Sequence, residues 1–418
     1  MKANIYEELL ARGFVKQEVG ALREKLSGGK TTFYIGFDPT ADSLHVGHLM
    51  TIMAMTHMQH AGHVPIALVG GGTAMIGDPS GKTEMRQMLS EETIAANGKA
   101  LKAQFKRYLE FGDGVGYFLN NADWLMKLGY IEFLREIGKY FRVNEMIKAE
   151  AYRARLEREE GLSFIEFNYQ LLQAYDFLTL FDKYDCTLQM GGDDQWSNML
   201  AGSDLIRRMR PGKGQGCLLT FPLLTTATGQ KMGKTEAGAV WLDPAKTSPY
   251  EFYQYWINAD DRDAERFLKL FTFLPLKEIA ALCAEGGAAL RHAKEVLAFE
   301  ATRITHGDKE AEKARAASQS LFGGTHTIAL GATYEVSHVP STEITKKEAG
   351  DMKVTDLLVR VGFASSKAEA NRLVKAGGVS VDEKPVSDPA AAVASLSGAG
   401  VFILRKGKKS YHRVTIKG

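Results

Sequence analysis

Two histidines bracket a glycine at His45-Val46-Gly47-His48, and two lysines stand three apart at Lys231-Met232-Gly233-Lys234-Thr235. Imidazole N–H groups and ammonium groups both suit a polyphosphate. Histidines at a helix start add to the unpaired N–H groups and positive dipole end already there. The run Phe33–Phe37 is apolar and strand-like, Pro39 makes a turn, and an apolar segment with helical spacing follows His45. A strand, a turn and a helix start thus form an anion site. The lysine pair follows a strand-like run and a turn-rich segment, Thr226 to Gln230, and reads as a clamp on a triphosphate.

A second group of residues can hold a small polar ligand. In Tyr169-Gln170-Leu171-Leu172-Gln173-Ala174-Tyr175-Asp176, the residues Tyr169, Gln173 and Asp176 are spaced by four and three and share one helical face. Leu171, Leu172 and Phe177 leave no wide solvated face, so this polar stripe needs partners of its own. Gln189-Met190-Gly191-Gly192-Asp193-Asp194-Gln195 closes a strand and opens a helix. Gly70-Gly71-Gly72-Thr73 to Gly81-Lys82-Thr83 invites a phosphate-loop reading, but the required first glycine is Ile76. His57, His60 and His63 are three apart, yet no carboxylate or cysteine completes a metal set, and no metal site is expected.

These residues need a scaffold of alternating strands and helices. Strand-like runs lie at Phe33–Phe37, Val64–Val69, Val115–Leu119, Cys186–Met190 and Leu218–Leu224. Helical patterns lie at Glu91–Phe111, Ile165–Phe181 and Gln195–Met209, and an amphipathic helical entry fills 1–30. Alternation of this kind predicts an α/β fold with a parallel sheet covered on both faces, its ligands at the carboxyl ends of the strands. The expected organisation is a catalytic domain at 1–225, a lysine loop at 226–246, an α-helical domain at 247–322, a linker at 323–350 and a small α/β domain at 351–418.

The 418 residues are 45% hydrophobic and 24% charged, ordinary values for a globular protein. No apolar run is long enough to span a membrane, the N-terminus lacks an apolar targeting core, and a cytoplasmic protein is expected. Cys186, Cys217 and Cys283 are odd in number and widely spaced, which predicts reduced thiols. The net charge of +2 hides an asymmetry: the last 68 residues hold 12 Lys+Arg against 6 Asp+Glu. A basic tail on a slightly acidic body points to a polyanionic partner.

The His-Val-Gly-His and Lys-Met-Gly-Lys-Thr elements resemble the two ATP elements of class I aminoacyl-tRNA synthetases, with Val46, Gly233 and Thr235 as mild departures. The set Tyr34, Tyr169, Gln173 and Asp176 resembles bacterial-type tyrosyl-tRNA synthetases, and 351–418 resembles an S4 RNA-binding domain. The resemblance covers nearly the whole chain. It implies a Rossmann-like catalytic domain, then an α-helical anticodon-side domain, then the S4 domain. It implies that Asp176 and Tyr34 take the phenolic hydroxyl of tyrosine. Asp78, Tyr169 and Gln173 would hold its ammonium group with help from Thr73, while Gln189 and Gln195 lie near the amino acid. Gly36, Asp38, His45, Gly47, His48, Gly192, Asp194 and Lys234 would bind ATP. Thr40, His45, His48, Lys82, Arg86, Lys231, Lys234 and Thr235 would stabilise charge during catalysis. The role of Asp123, next to Asn120 and Asn121, stays open.

The implied partners are ATP with Mg2+, L-tyrosine, tRNA(Tyr) and a second copy of the chain docked through the Tyr130 to Phe164 region, with no tightly bound cofactor. Two other readings compete. A tryptophanyl-tRNA synthetase shares the fold, but an indole only donates and has less use for Tyr34 and Asp176. A non-catalytic RNA-binding protein would have no need of an ATP clamp.

Overall fold

The computed structural model describes residues 4–78, 89–157, 162–229, 232–235, 238–322, 340–382, 384–396, 400–407 and 410–417. Lys82, Arg86 and Lys231 lie outside the described residues, as does most of the expected linker. The chain forms two compact units, Met1–Thr247 with Tyr255–Thr305, and Ser248–Gln254 with His306–Gly418.

The first unit is built on six strands: β1 (Gln17–Val19), β2 (Thr32–Phe37), β3 (Val64–Val69), β4 (Tyr117–Asn120), β5 (Cys186–Gly192) and β6 (Cys217–Phe221), in the order β1-β6-β5-β2-β3-β4. Strands β2 to β6 run parallel. Every residue of β3 and β6 is buried, as expected where helices cover both faces of a parallel sheet. From β2 the chain winds outward through β3 to β4, then returns to the other side of β2 with β5 and β6. The direction of winding therefore reverses beside β2. A crevice opens at such a switch point, above the carboxyl ends of the two strands.

Three expectations need correction here. The entry at 1–30 is not all helix: helices Ile5–Arg12 and Leu22–Ser27 flank β1, which pairs antiparallel with β6 and covers its otherwise open edge. The helical pattern at Ile165–Phe181 is two helices, Phe164–Phe167 and Tyr169–Tyr184. The Asn168 side chain donates to Phe164 O at 2.6 Å and satisfies the end of the first. The helical stretch expected as one domain at 247–322 is divided between the units. Its helix Ala264–Phe271 buries Phe267, Leu268, Leu270 and Phe271 in the first unit, where it packs on the helix Val46–His60. The Arg12 guanidinium, almost wholly buried, donates to Lys269 O, Thr272 O and Leu274 O, the carbonyls left open where that helix ends.

A short hairpin, β7 (Lys234–Thr235) with β8 (Gly238–Ala239), follows β6 in the first unit. The second unit holds a five-stranded sheet of β9 (Ser341–Thr345), β10 (Val379–Val381), β11 (Lys384–Pro385), β12 (Val401–Lys406) and β13 (Ser410–Lys417), in the order β11-β10-β12-β13-β9. Helices Val354–Arg360 and Lys367–Lys375 close its core of Ile344, Leu357, Leu358, Val374, Val379, Val381, Phe402, Leu404 and Val414. The sheet begins earlier than 351. Strand β9 runs parallel to β13, and Ile344 is fully buried, so the end of the span read as a linker belongs to the domain core.

Candidate active site

A cleft of about 270 Å³ opens at the switch point between β2 and β5. Most of the residues singled out from the sequence line it: Tyr34, Gly36, Asp38, Thr40, His48, Thr73, Asp78, Tyr169, Gln173, Asp176, Gln189, Gly192, Asp194 and Gln195. The expected helical stripe exists, since Tyr169, Gln173 and Asp176 project into the cleft from one face of the helix Tyr169–Tyr184.

The floor is buried and polar. Tyr34 and Gln189 are register partners on β2 and β5. Both are fully buried, and Tyr34 Oη and Gln189 Oε1 have no hydrogen-bond partner. Buried polar atoms of this kind are rare unless a ligand or water completes them. Asp176, 3% exposed, sits on the facing helix. Its Oδ1 accepts from Trp124 Nε1 at 2.7 Å, and its Oδ2 accepts from Asn121 Nδ2 at 2.9 Å. Burial pushes the Asp176 carboxyl up to about 7, and the two donors restrain that rise by favouring the ionised form. Burial and the nearby Asp176 charge push the Tyr34 phenol well above its ordinary range, so it stays protonated.

Asn121 and Trp124 were not singled out in the sequence, where Asp123 was the open question. Asp123 is exposed, and Asn121 does the work. Its Nδ2 donates to both Asp176 and Thr73 Oγ1, and its Oδ1 accepts from Gly72 N at 2.7 Å, so each polar atom of the amide is used. The available signal was position: the Asn120-Asn121 pair falls at the carboxyl end of β4, on the ligand side of a parallel sheet.

Above the floor lies an acidic group. Asp38, expected among the ATP ligands, accepts from Thr73 Oγ1 at 2.8 Å and from Tyr169 Oη at 3.0 Å, so it is tied to residues expected to hold the amino acid. Asp78 accepts from Gln195 Nε2 at 2.8 Å, and Asn198 Nδ2 in turn donates to Gln195 Oε1 at 3.1 Å. Two carboxylates and a phenol on one wall make a seat for an ammonium group.

The other wall begins the helix Val46–His60. His45 Nδ1 accepts from Gly47 N at 3.0 Å, and His48 Nδ1 accepts from His45 N at 3.2 Å. A neutral ring that accepts through Nδ1 carries its proton on Nε2, which fixes each ring's tautomer. The ring centroids lie 4.0 Å apart, with the planes tilted 34° to each other. The His45 ring fills the space beside Gly47: a Cβ there would lie 2.7 Å from its Cε1. Gly233 crosses the same place at φ +85°, and a Cβ there would lie 2.8 Å from Gly47 N. Both glycines are therefore required by close approach, Gly233 by its positive φ as well. The histidine and lysine elements, 186 residues apart by sequence, meet at this contact. Thr51, also missed in the sequence, lines the cleft one turn further along. Of Lys234 and Thr235 only the backbone in β7 is described.

His57 and His63 are structural. His57 packs against Phe14 and Phe273, and burial lowers it to about 3; His63 accepts from Thr31 N at 3.1 Å. The three thiols are free, and Cys186 and Cys217 are buried.

Comparison with known proteins agrees with this geometry. A family profile described as tRNA synthetases class I (W and Y) matches residues 26–323, and one described as the tyrosine–tRNA ligase SYY-like C-terminal domain matches residues 333–414. The tyrosine–tRNA ligase of Clostridium tetani is 51% identical over 420 residues, covering 100% of both chains. The chain belongs to the tyrosine–tRNA ligase family. The Clostridium beijerinckii ligase is 50% identical over 418 residues, covering 99% of this chain and 100% of its own. Among solved structures, a C-terminally truncated mitochondrial tyrosyl-tRNA synthetase from Aspergillus nidulans aligns with a TM-score of 0.69 and 31% identity, over 77% of this chain and 95% of its own. The Archaeoglobus fulgidus enzyme, solved with L-tyrosine, shares the fold at a TM-score of 0.54 and 19% identity, over 74% of this chain and 99% of its own. Among the described residues no helix is long and apolar enough to cross a membrane.

Proposed function

We propose that this chain activates L-tyrosine with ATP, forming tyrosyl-adenylate and pyrophosphate, and then passes the tyrosyl group to the 3′ end of tRNA(Tyr). The observation that carries the choice of amino acid is the pair at the cleft floor. Tyr34 offers a buried hydroxyl with no partner, and Asp176 offers a carboxylate fixed by Asn121 and Trp124. A phenolic hydroxyl donates to Asp176 and accepts from Tyr34. Phenylalanine leaves the Tyr34 hydroxyl unpaired and brings Asp176 no further donor in a desolvated pocket, which costs free energy. An indole N–H can donate to Asp176 but gives Tyr34 nothing to bond.

The ammonium group of tyrosine goes to Asp78, Tyr169 and Gln173, with Asp38 and Thr73 completing that wall. Gln195 faces the carboxylate side of the amino acid, and Gln189 lies beside Tyr34 on the floor. The adenosine lies over Gly36, Gly191 and Gly192, with Asp194 accepting from the ribose. The substrate carboxylate attacks the α-phosphorus, and pyrophosphate leaves. No side-chain nucleophile is needed, so catalysis rests on positioning and charge stabilisation. His45 and His48 donate through Nε2 to the phosphoryl oxygens beside Thr40, while Lys82, Arg86, Lys231, Lys234 and Thr235 draw off charge from the leaving pyrophosphate. Magnesium travels with ATP as its counter-ion. Mg2+ dehydrates reluctantly and keeps several waters, so the triphosphate itself holds it and no dedicated protein cage is needed.

The second unit binds tRNA through its basic residues, and the reaction takes place in the cytoplasm. The working form is a homodimer. Tyr130, Ile131, Val143 and Phe164 are each at least 60% exposed, an apolar patch that a second copy would cover. Pyrophosphate exchange with each aromatic amino acid in turn tests the assignment. Exchange with tyrosine alone supports it, and equal exchange with tryptophan or phenylalanine refutes it.

A further inference from the structure

The chain between β6 and Trp241 folds back on itself, with Met232 N donating to Leu224 O and Val240 N donating to Gly233 O, each at 3.0 Å. Three side chains from a later helical stretch of the same unit also grip it. Gly233 N–H donates to Tyr255 Oη at 3.2 Å. Ala227 N–H donates to Asp263 Oδ2 at 2.7 Å. Arg266 donates to Thr225 O and pairs with Asp263 Oδ1 at 2.6 Å. The Asp263 carboxylate is almost fully buried, 2% exposed. A buried charge costs free energy unless it is paired and hydrogen-bonded, and here one oxygen is committed to a loop amide. The two grips fall on opposite limbs, before and after the first lysine of the pair. On its far side Gly233 lies against Gly47, at the start of the histidine-bearing helix.

We infer that Tyr255 and Asp263 are positioning residues for the lysine loop: they clamp its two limbs, at Gly233 and at Ala227, and so hold Gly233 against Gly47 at the phosphate end of the cleft. Neither side chain lines the cleft. Their effect passes through the loop backbone to Lys234, the residue after Gly233, and the inference rests on the reading that the lysines serve the activation step. Losing a clamp lowers the fraction of molecules with the loop in place, and the rate of the step that needs it falls by that fraction.

The test is single-turnover formation of tyrosyl-adenylate by the full chain, with Lys234→Ala run in parallel. Tyr255→Phe should slow adenylate formation about fivefold, the worth of one hydrogen bond, with tyrosine affinity and melting temperature unchanged. Asp263→Ala should slow it about tenfold or more, and Asp263→Asn should recover most of the loss, because an amide oxygen still accepts from Ala227 N–H. If Asp263→Ala does not fold, Tyr255→Phe and Asp263→Asn decide. Adenylate formation at the parental rate in Tyr255→Phe and Asp263→Ala, with Lys234→Ala slow, overturns the inference alone. So does a rate loss matched by an equal loss of tyrosine affinity or melting temperature, which marks a structural role. A Lys234→Ala variant as fast as the parent overturns the reading of the loop itself, and the inference with it.

Discussion

Replacing Trp124 with phenylalanine should weaken tyrosine recognition without touching any atom that meets the substrate. The indole N–H donates to Asp176 Oδ1 at 2.7 Å in a buried site, and the carboxyl already sits at about 7 because burial disfavours its charge. A hydrogen bond to a charged group contributes roughly 1.5–3 kcal/mol, so its loss should raise that value by about one to two units. At pH 7 the ionised fraction then falls from about one half to roughly a tenth or a hundredth. A protonated Asp176 is a much weaker acceptor for the single phenolic O–H, so KM for tyrosine should rise by up to roughly 5- to 50-fold at pH 7 and recover at higher pH. Phenylalanine makes no such bond, and its kcat/KM should change little. Pyrophosphate exchange with both amino acids between pH 6 and 9 reads this out. Equal losses for tyrosine and phenylalanine, or a tyrosine profile that does not move to higher pH, would refute the reasoning.

Other outcomes follow from the same geometry. Tyr34→Phe should narrow the discrimination between tyrosine and phenylalanine by about 1 kcal/mol, measured as the ratio of kcat/KM values. Gly233→Ala must hold φ +85° with its Cβ 2.8 Å from Gly47 N, so adenylate formation should slow in single turnover while tyrosine binding stays the same. His412 in the second unit is lowered to about 4 by burial. A histidine held neutral in the fold contributes stability above its unfolded value, and that stability is lost as pH falls from about 6.5 toward 4; denaturant melts of His412→Gln should be flatter over that window. Deleting residues 323–418, which removes β9 together with its partner β13, should leave pyrophosphate exchange near normal and abolish tRNA charging. If about four basic residues of this unit contact phosphates, tRNA affinity should fall with salt at a log–log slope of roughly −3 to −4.

Much of this site was legible in the sequence because its elements follow strong local rules. The buried parallel strands read as apolar runs, and the 4-3 spacing of Tyr169, Gln173 and Asp176 fixed one helix face. What escaped was set by tertiary pairing. Strand β1 is three residues long and gains its identity only from the edge of β6. Strand β9 follows a polar stretch, and only its register with β13 buries Ile344. Asn121 and Trp124 belong to a short turn and helix whose sequence carries no period, and their importance appears only when Asp176 arrives from 55 and 52 residues away. Asp38 was placed with ATP by the family resemblance, whereas the fold ties it to Thr73 and Tyr169. The basic residues of the second unit are not equally available either. Arg360 and Lys367 form ion pairs with Glu348 and Asp356, and Lys406 donates to Phe363 O, while Arg372 and Lys375 are exposed.

The central claim is that the floor of the cleft reads a phenolic hydroxyl. A crystal structure with a non-hydrolysable tyrosyl-adenylate analogue tests it most directly. The account predicts the phenolic oxygen within hydrogen-bonding distance of both Tyr34 Oη and an Asp176 oxygen, the amine against Asp78 and Tyr169, and the phosphate beside His48. A ligand seated the other way round, or a phenolic oxygen that touches neither Tyr34 nor Asp176, would contradict it.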